Sequence, residues 1–154
     1  MATRPDECAR KVLEIVPLVM RAIRAEMRSH RGPDLSVPQF RVLIFLNRHE
    51  GASLSDVAGH VGLTLPSMSR MVDGLVARNL VTRQADADDR RRVALTLTTL
   101  GRTAMQSAYE STQGHLAERL AALAAPDRTT ILKAMQALDS TFRSRREART
   151  AAGR

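Results

Sequence analysis

The sequence predicts a mainly α-helical fold carrying one small β-hairpin, and three observations lead there. Of 154 residues, 44% are hydrophobic but only 3% aromatic, so the core must be built from Leu, Val, Ile, Met and Ala, a set that favours helices. Apolar residues recur at helical spacing along the chain, as in Met68, Met71, Val72 and Leu75 at i, i+3, i+4 and i+7. By contrast, VALTLT at residues 93–98 alternates strictly between apolar and polar, and it follows a second strand-like stretch, NLVTRQ at 79–84, across a highly charged loop.

Each element has its own local reason. Residues 6–29 carry Val12, Leu13, Ile15, Val16, Val19, Met20, Ile23 and Met27 at helical spacing, and Pro17 predicts a kink within that helix. RGPDL at 31–35 then breaks the chain. Ser36-Val37-Pro38-Gln39 reads as a capping box, with Pro38 where helical N–H groups are unpaired anyway. The helix it opens runs to about Arg48, and Gly51 ends it.

Ser53 and Asp56 form another N-terminal capping pair, starting a short helix whose inward face is Leu54, Val57, Ala58 and Val61. Gly62 permits a tight turn. Thr64 caps the next helix, with Pro66 in its first turn. Two helices joined by so short a glycine turn make a helix-turn-helix hairpin. In the second of them the stripe of Met68, Met71, Val72 and Leu75 is core, which leaves Pro66, Ser67, Ser69, Arg70 and Asp73 on the opposite side.

In the return strand, Val93, Leu95 and Leu97 face one way and Ala94, Thr96 and Thr98 the other. Thr98 caps a long helix from about Thr99 to Leu123. AAPDR at 124–128 marks the next break, and Ile131, Met135, Leu138 and Phe142 form an apolar stripe on a last helix.

Charge and composition narrow the function. The formal net charge is +8, which points to an anionic partner, nucleic acid before membrane. Between Arg143 and Arg154, five Arg stand against Glu147, so half of that excess sits in a C-terminal tail that could simply be solvated. The apolar run IVPLVM at 15–20 is far shorter than the roughly 20 residues a bilayer requires, so neither a membrane span nor a signal peptide is expected. A single cysteine, Cys8, precludes an internal disulfide framework and fits a reducing cytoplasm. His30, His49, His60 and His115 lie too far apart to form a metal-ligand motif, and no cofactor is expected. Without a nucleophile–base pairing or a phosphate-binding glycine loop, the sequence does not read as an enzyme.

Between the strands lies ADADDRRR, residues 85–92, with three Asp and three Arg in its last seven positions. A helix-turn-helix followed by a hairpin with a basic tip is a winged helix-turn-helix. Guanidinium groups on such a tip suit the negative potential of a narrow minor groove while the preceding helix occupies the major groove. Asp88 and Asp89 can pair with their Arg neighbours and aim them. The apolar stripes at both chain ends leave surplus hydrophobic surface, which a symmetric dimer would bury. Residues 1–34 and 99–154 are then dimerisation regions, with Val12, Ile15, Ile131, Met135, Leu138 and Phe142 at the contact, and residues 35–98 are the DNA-binding domain.

From LTLPSMSRMVDGLVARNLVTRQADADDRRRVALTLTTLG, residues 63–101, the chain resembles the MarR family of bacterial transcriptional regulators. The specific part is Asp-x-Arg followed by a strand ending Leu-Thr-x-x-Gly, matched by Asp89, Arg91, Leu97, Thr98 and Gly101. Asn79 stands where the family often has Gly, and Asn tolerates the left-handed conformation required there. The resemblance implies a homodimer reading a pseudo-palindromic duplex, usually a repressor, released by a small aromatic or anionic effector. It also implies that Ser67, Ser69 and Arg70 contact base edges or phosphates and that Arg91 enters the minor groove. Arg90 and Arg92 are adjacent candidates, and Arg78 and Arg83 are candidates for phosphate contact.

Two other functions compete. An architectural, weakly selective DNA-binding protein would rely on net charge and the basic tail, and would lose binding when Arg143–Arg154 is deleted. A peroxide sensor would use Cys8, which lies where one branch of the family carries its reactive thiol. That branch has tyrosines near the sulfur, however, and this chain has only the sequence-distant Tyr109.

Overall fold

The computed structural model describes residues 4–29, 35–85 and 93–151. Its elements in chain order are α1 (Pro5–Ser29), α2 (Val37–Arg48), α3 (Leu54–Val61), α4 (Leu65–Ala77), β1 (Val81–Ala85), β2 (Val93–Leu97), α5 (Thr99–Ala121) and α6 (Ala125–Ala151). They fall into two compact units, Met1–His115 and Leu116–Arg154.

In the first unit the core is made by the residues that the periodicity picks out. Val42, Leu43 and Leu46 of α2 meet Val57 and Ala58 of α3 and Met68, Val72 and Leu75 of α4, all buried. The hairpin closes this cluster with Val81, Leu95 and Leu97, and Ala104 and Met105 of α5 complete it. No charged or polar residue is buried among the described residues, so the interior carries no desolvated group needing a partner.

The helix starts follow from short-range chemistry. Ser36 N donates to Gln39 Oε1 at 2.9 Å and Gln39 N to Ser36 Oγ at 3.3 Å, closing the box that opens α2. Ser53 and Asp56 do the same for α3, with Asp56 N donating to Ser53 Oγ at 3.2 Å and Ser53 N to Asp56 Oδ2 at 3.1 Å. Gly62, at φ 80°, ends α3 in the left-handed conformation, and Thr64 then caps α4. Helix α1 continues through Pro17.

The hairpin is antiparallel, in register from Val81 opposite Leu97 to Ala85 opposite Val93. It is shorter than the alternation suggests at both inner ends. Asn79 adopts φ 56° and Leu80 N donates to Leu75 O at 2.9 Å, so both residues finish the helix rather than start the strand. Thr98 leaves β2 because its hydroxyl accepts from Gly101 N at 2.8 Å to cap α5. Val93 lies on the apolar side but at the outer end of the hairpin, where it is half exposed. Ala52 makes an isolated bridge to Leu95, with Leu95 N donating to Ala52 O at 3.0 Å. The segment after α2 therefore joins the sheet as well as ending a helix.

Helix α5 ends at Ala121, two residues before the expected Leu123, and α6 starts at Ala125 with Pro126 in its first turn, so the break lies at residues 122–124 and takes in only the first residue of AAPDR. No described residue of α6 is buried.

Candidate nucleic-acid interface

Helix α4 is set by what it buries. Met68, Val72 and Leu75 are fully enclosed, which fixes the rotation of the helix about its axis. Pro66, Arg70 and Asp73 are left exposed, while Ser67 and Ser69 are half-buried. The first turn is held by Ser67 N donating to Thr64 Oγ1 at 3.4 Å and by a 3.1 Å bond between the Thr64 and Ser67 hydroxyls. Pro66, Ser67, Ser69 and Arg70 thus occupy the N-terminal half of one helix, as the sequence suggests.

Asp89, Arg90, Arg91 and Arg92 lie outside the described residues. Arg78 is the C-cap residue of α4, its backbone N–H donating to Gly74 O at 3.2 Å. Arg83, on β1, turns back to α4: its Nη1 stands 2.6 Å from Asp73 Oδ1, and its Nη2 donates to Ser69 O at 3.5 Å.

Two residues brace the motif through links between elements, one of them, Arg41, not singled out by the sequence and the other, Thr98, expected only as a helix cap. Arg41 of α2 donates to Val61 O at 3.2 Å and His60 O at 3.1 Å, satisfying carbonyls at the end of α3. Thr98 links the hairpin to α5 by donating to Asn79 O at 2.7 Å while accepting from Gly101 N. A Cβ at Gly101 would lie 2.0 Å from Leu80 O, so only glycine allows α5 to come this close to the chain leaving α4. These contacts give the Leu-Thr-x-x-Gly signature a physical basis.

A cleft of about 320 Å³ lies between the end of α4 and the start of α5, lined by Arg78, Leu80, Leu100, Thr103, Ala104 and Ser107. Cys8 is exposed on the first turns of α1. Among the described residues no cluster of His, Cys, Asp or Glu could hold a metal, and no helix is long and apolar enough to cross a membrane.

The apolar stripes of the terminal helices are uncovered. Ile15, Ile131, Met135 and Phe142 are exposed, and Val12 and Leu138 half-buried.

Comparison with known proteins places this arrangement. The model of the MarR family matches residues 34–92, which take in helices α2 to α4 and strand β1. The HTH-type transcriptional regulator YfiV of Bacillus subtilis is 35% identical over 83 residues, 54% of this chain and 51% of that one. Over residues 34–92 the chain is similar to the MarR family.

The chain spans about half the length of YfiV but more of another relative. The HTH-type transcriptional repressor Rv2887 of Mycobacterium tuberculosis is 28% identical over 119 residues, covering 77% of this chain and 86% of that one. The winged fold is shared with the transcriptional repressor CouR bound to a 23-mer DNA duplex, at a TM-score of 0.68 and 23% identity over 91% of this chain and 99% of that one.

Proposed function

We propose that the chain acts as a homodimer that recognises a pseudo-palindromic operator and represses transcription until a small aromatic or anionic effector releases it. The observation that carries this reading is the construction of α4. Its buried stripe and capped first turn hold Pro66, Ser67, Ser69 and Arg70 on a rigid element of the same core that carries the wing. Side chains positioned this way can read a groove. Rv2887 is named a repressor and CouR is solved on a duplex, which favours repression through DNA binding for this chain too.

Dimerisation is supported by the exposed stripes: Leu13, Ile15, Leu18 and Val19 on α1 and Ile131, Leu132, Met135 and Phe142 on α6. Apolar rows of that length on a monomer's surface mark an association site, and two-fold pairing would give the two-fold repeat of an operator half-site. The cleft lined by Arg78, Leu80 and Leu100 lies at the lower end of the roughly 300–1,000 Å³ range of small-molecule sites, and its leucines suit a compact ligand with an apolar body. The absence of a spanning helix among the described residues is compatible with work in the cytoplasm.

The test is titration of the purified protein onto the DNA upstream of its own coding region and onto a scrambled duplex at physiological salt. Tighter binding to the former supports the reading, and equal affinity would overturn it in favour of a weakly selective architectural role. Arg91→Ala should weaken binding to the upstream DNA by roughly 1–3 kcal/mol without changing the unfolding curve. Unchanged affinity would remove the wing from the mechanism.

A further inference from the structure

We propose that Arg83 and Asp73 form a clamp that fixes the recognition helix α4 against the wing hairpin, and that Arg83 is a positioning residue and not a phosphate contact. The inference rests on the DNA-binding reading above and adds to it the way in which the two reading elements are held in mutual register.

Strand geometry supplies the first argument. Residues paired across an antiparallel ladder project from the same face. Arg83 pairs with Leu95, and its row neighbour Val81 pairs with Leu97. Val81, Leu95 and Leu97 are all buried, so Arg83 leaves the hairpin on the side that packs against the helices. Thr82 and Thr96 occupy the other side.

The destination of the guanidinium is the second argument. Nη1 reaches Asp73 at 2.6 Å and Nη2 the Ser69 carbonyl at 3.5 Å. Ser69 and Asp73 are one helical turn apart, so a single side chain from β1 grips two successive levels of α4. Arg provides the planar fork such a grip requires, and Lys does not.

Asp73 supplies the third. It stands on the exposed side of α4, one turn beyond Arg70, where a bare carboxylate would repel the phosphates of a duplex. Pairing with Arg83 neutralises it. Both side chains remain partly exposed, 36% for Arg83 and 56% for Asp73, so the pair contributes little to stability. Its effect lies in geometry, because groove-reading groups tolerate only about 0.5 Å and 10–20° of error.

The rival assignment, Arg83 on a phosphate, predicts the opposite sign for one substitution. A clamp is broken by Asp73→Asn, whereas a phosphate contact is helped by it. The experiment uses the full chain and a duplex that the wild-type protein selects from a random pool, with a scrambled duplex as control, across a salt series. Arg83→Gln, Asp73→Asn and the double variant should each lose about tenfold in affinity for the selected duplex. The double variant should lose no more than either single one. Binding to scrambled DNA and the salt slope should stay at wild-type values, as should the thermal midpoint, while Arg83→Lys recovers only part of the loss.

Stronger binding by Asp73→Asn, with Arg83→Gln weakening both duplexes and lowering the salt slope by about one, would overturn the clamp and make Arg83 a phosphate contact. Wild-type behaviour in every variant would overturn it too. If the wild-type chain selects no sequence, the operator reading fails by itself. The clamp is then judged on the free protein, where both substitutions must accelerate hydrogen exchange in the Ser69–Asp73 turn, and unchanged exchange would refute it.

Discussion

The middle of the chain and its two ends are about equally rich in apolar stripes, yet they treat them in opposite ways. In the middle, Leu43, Met68, Leu75 and Leu95 are wholly buried within one chain. At the ends, Leu13 is 76% exposed on α1 and Leu132 64% exposed on α6. Helical periodicity alone does not distinguish these cases, because an amphipathic helix signals that a face will be covered and not by what. The difference is one of closure: helices α2 to α4 and the hairpin supply faces for one another, whereas α6 buries no described residue within its own chain. The faces of α2 to α4 and the hairpin cover one another, and those of α1 and α6 are left for the second copy proposed above.

The largest effects should separate the two regions. Leu43→Ala removes a fully buried side chain, so unfolding in denaturant should show a loss of about 2–5 kcal/mol. In the folding of the winged domain itself, that loss should not depend on protein concentration. Met135→Asp acts at the other region. Met135 is 52% exposed in the isolated chain, and a carboxylate there costs the monomer little. Buried against a partner without a counter-charge, it should weaken pairing by about 3 kcal/mol, more than a hundredfold in dissociation constant. Sedimentation at several concentrations checks this, and a variant that stays dimeric would show that α6 does not carry the contact.

The comparison also explains what could be read in advance. The caps at Ser36, Ser53, Thr64 and Thr98 and the buried row of α4 are legible because each depends on residues within one helical turn or one turn of chain, whereas the left-handed Asn79 is reached only through the family resemblance. The hairpin register was half legible. Alternation identifies the buried side of β2, and the same rule applied to β1 puts Arg83 on that side, although its charge also makes it, with Arg78, a candidate for phosphate contact. What escaped entirely are links between segments far apart in sequence: Arg41 on the end of α3, Ala52 on Leu95, and the backbone of Leu80 against Gly101. No local pattern encodes them.

Gly101 makes the last of these links testable. It lies in the first turn of α5, where alanine would normally be the better helix former. Here the added Cβ would sit 2.0 Å from the Leu80 carbonyl oxygen, a backbone atom with nowhere to go. Gly101→Ala should therefore destabilise by about 1–3 kcal/mol, although propensity alone would make it stabilising. Gly114, further along α5 and with nothing near its Cβ position, is the control. Gly114→Ala should raise stability by roughly 0.5–1 kcal/mol. Opposite signs for one substitution on one helix would locate the constraint at the joint with the hairpin.

The smallest effects compare a local device in each region. Helix α3 has eight residues, too few to be stable by itself, and its start depends on Ser53, which accepts from Asp56 N and donates to Asp56 Oδ2 at 2.7 Å. Ser53→Ala should cost about 1 kcal/mol. On α1, Lys11 pairs with Glu14 at 2.8 Å on an exposed face, where screening and side-chain entropy offset the attraction. Glu14→Ala should change stability by less than about 0.5 kcal/mol. Denaturant midpoints at equal slope measure both. A cost at Glu14 as large as that at Ser53 would mean that α1 is held by its charges, and the apolar face we assign to a partner would have lost its reason to be covered.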